Sequence, residues 1–273
     1  MKLNISDETI FYILAPANVD TGGPHDLHQL ASELKILGKN VYMYYYPKEE
    51  KNPVHENYKL YNLPYTLEIE DDKKNVLIVP EINQTIILSK RFRHIQKVLW
   101  WLSLDYFFVS KFVETFPKFL RSIIKIPFNL ICLFNKITFN NFGNLSLPKY
   151  LKTIYLGYPF KNNIYVENIS INLSQSKYQY HILKSKNIDS LLLFDFIRDE
   201  YFEAAEKILL KKKENIICYN PKKSSSFMKE IIKSNPDIKF IPLINYSIDE
   251  LIKVLSNSKI YMDFGFHPGV DHL

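Results

Sequence analysis

The chain has 273 residues, 47% hydrophobic and 23% charged. That balance excludes wholesale disorder, a collagen-like repeat and a disulfide mini-scaffold, and its length suits about two domains. With 35 Lys and Arg against 29 Asp and Glu the net charge is +6, too mild to argue for nucleic acid, and no nucleic-acid-binding motif is recognised. Cys132 and Cys218 are far apart and lack metal-ligand spacing, which points to a reducing compartment. Asp7 and Glu8 stand where an export signal would be basic and then apolar. The uncharged stretch 126–135 contains Pro127 and two asparagines and is too short to span a bilayer. A cytoplasmic chain is expected.

The first element is an apolar run at 9–15, of strand length. A turn cluster follows at 16–24. Leu27, Leu30, Ala31, Leu34 and Leu37 then recur at helical spacing, and Gly38 stands where a helix ends. The run 41–46 is the next strand, which completes a β-α-β unit and implies a parallel sheet. Buried strands are expected at 76–79 and 97–102. The block 107–142 alternates Phe, Ile and Leu with lysines and an arginine, and Pro117 and Pro127 are expected to cut it into short pieces. Further on, strands are expected at 169–173 and 191–194, with helices at 177–185 and 200–211. The last 60 residues read β-α-β-α-β: strands at 215–219, 238–243 and 259–264, helices at 226–233 and 248–255. That is half of a doubly wound domain, and a three-stranded parallel sheet is thin, so this domain is expected to be incomplete.

The charge is uneven. Residues 1–105 carry 12 basic and 14 acidic side chains, 106–150 carry six and one, and 151–273 carry 17 and 14. Basic heads on aromatic and aliphatic bodies in the middle block suit either an anionic membrane surface or an apolar helix pair packed in the N-terminal domain; the charge bias favours the membrane.

Four of the seven glycines fall after expected strands, as Gly22-Gly23 and as Gly265 with Gly269. In open α/β sheets the ligand crevice lies beyond the C-terminal strand ends, and glycine there lets the backbone approach a phosphate. Plain turn chemistry explains Gly22-Gly23 equally well. The pattern is not G-x-G-x-x-G, which disfavours NAD.

Thr21-Gly22-Gly23-Pro24-His25, followed by Leu27-His28-Gln29-Leu30-Ala31 and Gly38, resembles the first loop and helix of bacterial GT-B-type glycosyltransferases of surface-polysaccharide (capsule or lipopolysaccharide) biosynthesis. Val98-Leu99-Trp100-Trp101-Leu102-Ser103-Leu104-Asp105 resembles a tryptophan-rich strand of the same group. Tyr219-Asn220-Pro221-Lys222-Lys223 and Asp263-Phe264-Gly265-Phe266-His267-Pro268-Gly269-Val270-Asp271 resemble parts of the donor domain. The resemblance implies two Rossmann-like domains, an acceptor-side domain at 1–195 with a basic aromatic helical insertion at about 106–150, and a partial donor-side domain at 196–273. In the family an acidic helix start holding the donor ribose would follow the last motif. The sequence ends before it, so a C-terminally truncated member is expected.

The activity the resemblance implies is transfer of a sugar from a nucleotide sugar to a glycan or lipid-linked acceptor. No metal and no cofactor are expected. Basic side chains, backbone N–H groups and a helix N-terminus would balance the leaving diphosphate. Gly22, Gly23, Asn220, Lys222, Lys223, Asp263, Gly265 and Gly269 are the candidate donor contacts. His25, Asp26 and His267 are the candidate acid/base groups. Each also has a plainer reading: Lys222 and Lys223 as a solvated turn, His267 as a cap or core histidine, Asp263 as a cap or as the orienter of His267, and Asp26 as the N-terminal charge of its helix. Asp105 also follows a strand. Glu68, Glu70, Asp71 and Asp72 read as an exposed loop rather than a metal site. Two other functions stay open: transfer of a phosphoryl-type group on the same fold, and an inactive remnant that binds acceptor or membrane.

Overall fold

A computed structural model describes residues 2–138, 147–155, 168–195, 197, 199–208, 212–221 and 226–263, with backbone only at 84, 85, 133–138, 148, 149, 199, 226 and 227. By backbone proximity the chain divides into two units. One contains Met1–Lys118 and Leu151–Phe196, the other Phe119–Tyr150 and Ile197–His267.

The first unit is built on six parallel strands: β1 (Ile10–Pro16), β2 (Asn40–Tyr46), β3 (Val76–Pro80), β4 (Gln96–Trp101), β5 (Ile171–Ser174) and β6 (Leu191–Leu192), in the order β2-β1-β3-β4-β5-β6. The alternation of side chains along each strand divides the core in two. Tyr12, Leu14, Leu77, Val79, Leu99 and Trp101 pack on one face. Phe11, Ile13, Val76, Ile78, Val98 and Trp100 pack on the other. Helix α1 (Gly22–Ile36) covers the second face through Leu27 and Ala31. Helix α2 (Leu104–Thr115) covers the first face through Leu104 and Phe107, with α5 (Lys177–Ser185) adding Leu183. Burial on both faces explains why β1 and β3 read as unbroken apolar runs. The helix of α1 stops before Gly38, which takes φ +72°, a conformation glycine adopts without strain.

The aromatic block is cut at one of the two prolines expected to break it and not at the other. Pro117 does separate α2 from α3 (Lys118–Thr138), but α3 runs through Pro127 as one helix of 21 residues. Proline removes one backbone N–H and crowds the carbonyl four residues earlier, here Ile123. Ile123 and Ile126 are exposed, so water can take up the freed carbonyl, and the helix need not end. A short helix, α4 (Leu147–Ile154), follows, and its Tyr150 hydroxyl donates to the Ile124 carbonyl of α3 at 3.0 Å. No helix among the described residues is long and apolar enough to cross a membrane.

The second unit carries three parallel strands, β7 (Glu214–Tyr219), β8 (Lys239–Pro242) and β9 (Ser258–Met262), in the order β8-β7-β9. They alternate with α7 (Ser226–Ser234) and α8 (Ile248–Asn257), preceded by α6 (Asp199–Ile208). Ile216, Ile217, Cys218, Met228 and Leu251 form its buried centre. Two helices begin with a reciprocal cap, Ser176 with Gln179 in α5 and Ser247 with Glu250 in α8. The architecture is therefore α/β and Rossmann-like in character, with one six-stranded and one three-stranded parallel sheet.

Candidate functional site

The strand order places a topological switch point between β1 and β3. The chain leaves β1 toward β2 and leaves β3 toward β4, so a crevice opens at their C-terminal ends. The segments that reach this edge are the loop before α1, the residues after β3, the β4–α2 connection and the start of α5.

Side chains bind these segments together. Glu81, the first residue after β3, is buried, and its carboxylate accepts hydrogen bonds from the amides of Leu102 at 2.9 Å and Ser103 at 3.0 Å. Burial pushes its pKa up to about 8 against the pull of those amides. Gln179 Nε2 donates to the Leu102 carbonyl at 3.0 Å, and its Oε1 accepts from the Gln175 amide at 2.8 Å. Gln175 Nε2 in turn donates to Asp26 Oδ2 on α1 at 3.0 Å. The ends of β3, β4 and β5 and the first turns of α1 are thus one hydrogen-bonded frame. Gln29 Oε1 and Gln175 Oε1, with Trp100 Nε1, are buried and accept or donate no hydrogen bond among the described residues. Each such atom costs about 1–3 kcal/mol.

At the mouth of this frame α1 begins with Gly22 and Gly23. Thr21 caps it in extended conformation, but its side chain makes no capping bond, and no acidic residue lies in the first turn. The positive end of the helix is therefore not neutralised by its own first turn. A Cβ on Gly23 would stand 3.3 Å from Leu102 Cδ1, so glycine allows the close approach of α1 to the β4–α2 connection. Asp20, the acid of the preceding loop, is engaged elsewhere: it accepts from Asn57 Nδ2 at 2.6 Å and from the Tyr58 hydroxyl at 3.0 Å. Both donors belong to a 3-10 segment, Glu56–Tyr61.

His25 and Asp26, adjacent in sequence, occupy different environments. His25 is half-buried, its Nε2 lies 3.1 Å from the Tyr61 hydroxyl, and its ring meets the edges of Tyr58 and Tyr61. Asp26 is only 2% exposed and is held by Gln175. It lies beyond the first turn of α1, so it does not supply the helix's N-terminal charge. A general base must reach the proton it abstracts, and burial suits Asp26 to positioning instead. His28, one turn on, is buried with Nδ1 2.6 Å from the Pro24 carbonyl and Nε2 2.7 Å from the Tyr45 hydroxyl, and stacks on Tyr58 with ring centres 4.1 Å apart. A carbonyl only accepts, so Nδ1 carries the proton and Nε2 accepts from Tyr45. Burial drives its pKa down to about 4.

In the second unit Asn220 and Asp263 meet at the ends of β7 and β9. Asp263 Oδ2 accepts from the Tyr261 hydroxyl at 3.0 Å, and the same hydroxyl is hydrogen-bonded to the Asn220 side chain. Burial, then the Asp263 charge, raises the Tyr261 pKa. Asp263 was expected to orient His267 or a loop amide, or to cap a helix; Tyr261 is one of its hydrogen-bonding neighbours, and His267 lies outside the described residues. Lys222, Lys223, Gly265, His267 and Gly269 lie outside the described residues. Asp105 lies in the first turn of α2, capped by Ser103. Asp71, in the acidic loop, accepts from the amides of Arg93, His94 and Ile95 at 2.9 Å each, which pins the turn before β4. Although burial opposes it, these three amides hold the Asp71 pKa below the usual carboxylate value. Among the described residues no cluster of three or more His, Cys, Asp or Glu could hold a metal ion.

Sequence reasoning passed over Glu81, Gln175 and Gln179. Glu81 carried a usable signal, a carboxylate directly after the apolar strand Val76–Pro80, the same logic that singled out Asp105 and Asp263. No known protein-family description matches the chain, and no curated protein matches it in sequence.

Proposed function

We propose that the chain is a GT-B-like, metal-independent glycosyltransferase that moves a sugar from a nucleotide sugar to a glycan or lipid-linked acceptor. The observation that carries this reading is the glycine start of α1, lacking a side-chain cap, at the C-terminal edge of a parallel sheet beside the half-buried ring of His25. Such an edge favours an anionic or polyhydroxylated ligand, because backbone N–H groups and the helix dipole face it. His25 is the group assigned to take the proton from the acceptor hydroxyl. The Glu81–Gln179–Gln175–Asp26 frame keeps the edge rigid while the ligand is bound. In the second unit, Asn220 and Asp263 are assigned to the donor together with Lys222, Lys223, Gly265, His267 and Gly269, the last five on the sequence resemblance alone. Their lysine charge and glycine amides would share the negative charge developing on the leaving diphosphate.

The test is calorimetric titration of the full chain with nucleoside diphosphates, followed by an assay of diphosphate release from nucleotide sugars with glycan and lipid-linked acceptors. Saturable binding with release that depends on acceptor and is lost in His25→Ala supports the reading. Absence of binding by any nucleoside diphosphate overturns it. Release of a phosphoryl group rather than a sugar would move the assignment to a phosphoryl-type transferase on the same fold.

A further inference from the structure

Helix α3 is an amphipathic element with its apolar face turned to solvent. Phe119, Ile123, Ile126 and Leu130, spaced four, three and four apart, lie on one face and are 73%, 45%, 51% and 50% exposed. Leu120 and Ile131 widen the face and are exposed as well. Lys118, Arg121 and Lys125 follow the same spacing on the opposite side. At about 1.5 Å per residue the helix is roughly 31 Å long, and it is not apolar enough over that length to cross a membrane. Residues 115–166 contain seven lysines and arginines and no aspartate or glutamate.

We infer that α3 docks in the plane of an anionic bilayer, its Phe-Leu-Ile face among the acyl chains near the headgroups and its basic side toward lipid phosphates. Two features together select this occupant. Large exposed apolar side chains on a helix gain about 25 cal/mol per Å² when withdrawn from water, which any apolar partner could supply. The single-sign charge of the segment narrows the choice: an anionic surface attracts each cation, while a second copy carries charge of the same sign and is repelled on approach. The helix has the make-up of an interfacial element, with Lys and Arg on one side and Phe, Leu and Ile on the other. The inference stands apart from the transferase reading, since it needs neither donor nor acceptor.

The experiment is co-sedimentation of the full chain with vesicles of phosphatidylcholine alone, and of phosphatidylcholine with about a third phosphatidylglycerol, at low and high salt. Binding to the anionic vesicles, at least tenfold weaker to the neutral ones and weakened by salt, is expected. The triple variant Lys118→Gln, Arg121→Gln, Lys125→Gln is expected to lower it about a hundredfold. The triple variant Phe119→Ser, Ile126→Ser, Leu130→Ser, at exposed sites, is expected to abolish it with an unchanged circular dichroism spectrum. The inference is overturned by no vesicle binding, by equal binding to both compositions, or by binding that survives both variants. It is also overturned if the apolar variant instead abolishes a concentration-dependent dimer of a chain that ignores vesicles.

Discussion

Glu81 Oε1 accepts a hydrogen bond from the Ser103 amide at 3.0 Å, and this contact fastens the end of β3 to the start of α2 inside the sheet edge. The carboxyl group is buried, and its pKa rises from 4.5 to about 8. A raised acid pKa means that the folded chain holds the proton to higher pH than the unfolded chain does. Between about pH 4.5 and about pH 8 the folded state is therefore the more protonated one, and stability falls as pH rises. The expected loss across the window is a few kcal/mol. Urea midpoints for the native chain and for Glu81→Gln check this. The variant is expected to lose the slope and, because its amide N–H₂ faces a backbone donor, to start about 1–3 kcal/mol lower.

His28 works in the opposite sense. Burial lowers its pKa from 6.5 to about 4, so the unfolded state binds more protons between those values and stability rises with pH through them. The stabilisation is full above about pH 6.5 and is lost as pH falls toward 4. The two buried groups overlap between about pH 4.5 and 6.5, where their slopes oppose. The native chain is expected to be nearly flat there and to lose stability only above about pH 6.5. Glu81→Gln should expose the rising His28 limb, and His28→Asn the falling Glu81 limb from about pH 4.5. Parallel curves for all three proteins would contradict both assignments.

Much of the architecture was legible because the strands are short apolar runs and the helices carry local signals. The α5 helix spans the expected 177–185, and the strands at 41–46 and 215–219 differ from expectation by one residue at their N-terminal ends. The strand expected at 191–194 shrinks to Leu191–Leu192, both exposed, because its neighbour β5 ends at Ser174, the partner of Leu192. Pro127 misled because proline was weighed as a breaker without its exposure, and exposure is what makes it tolerable. The site was harder to see. Gly22, Gly23 and His25 announce themselves in one short motif. The frame behind them does not, because Glu81 reaches residues about 20 positions away, and Gln175 reaches Asp26 across 149 positions. No local pattern encodes such pairings. The 3-10 segment Glu56–Tyr61, which supplies Tyr58 and Tyr61 to the histidines, has no apolar periodicity to reveal it.

Gly23 and Gly38 are expected to separate binding from folding. Alanine at Gly23 brings a Cβ to 3.3 Å from Cδ1 of the buried Leu102, a contact relieved by a shift of a few tenths of an ångström. The gain in helix propensity offsets that cost, so stability should stay within about 1 kcal/mol of the native chain. The added methyl group does crowd the approach to the amides of α1, and nucleoside diphosphate affinity should fall about tenfold. Gly38→Ala meets nothing within 4 Å but forces alanine to φ +72°. It should cost about 1 kcal/mol and leave binding alone. Thermal melts and calorimetric titrations of the two variants check the pattern, and a loss of affinity in Gly38→Ala equal to that in Gly23→Ala would dissociate α1 from the ligand site.

His25 and Asp26 should divide in the same way, one into chemistry and the other into structure. His25 stands half-buried at the helix start with its Nε2 against the Tyr61 hydroxyl. Removing the ring takes away the proton acceptor but leaves the core intact, so His25→Ala should lower turnover by about 10²–10⁴-fold while the urea midpoint hardly moves. Tyr61→Phe should keep the imidazole but release its orientation, giving a smaller fall in turnover with donor affinity unchanged. Asp26→Ala deletes the carboxylate that accepts from Gln175 Nε2 and leaves a buried amide N–H₂ without that acceptor. Its expected cost is about 1–3 kcal/mol of stability. Turnover per folded molecule should change less than in His25→Ala, because the lost group does not touch the acceptor. Asp26→Asn should recover most of the stability, since its Oδ1 can still accept from Gln175 Nε2. Turnover measured beside the urea midpoint for each variant distinguishes the roles. An Asp26→Ala protein with native stability and no turnover would return the proton transfer to Asp26 and remove it from His25.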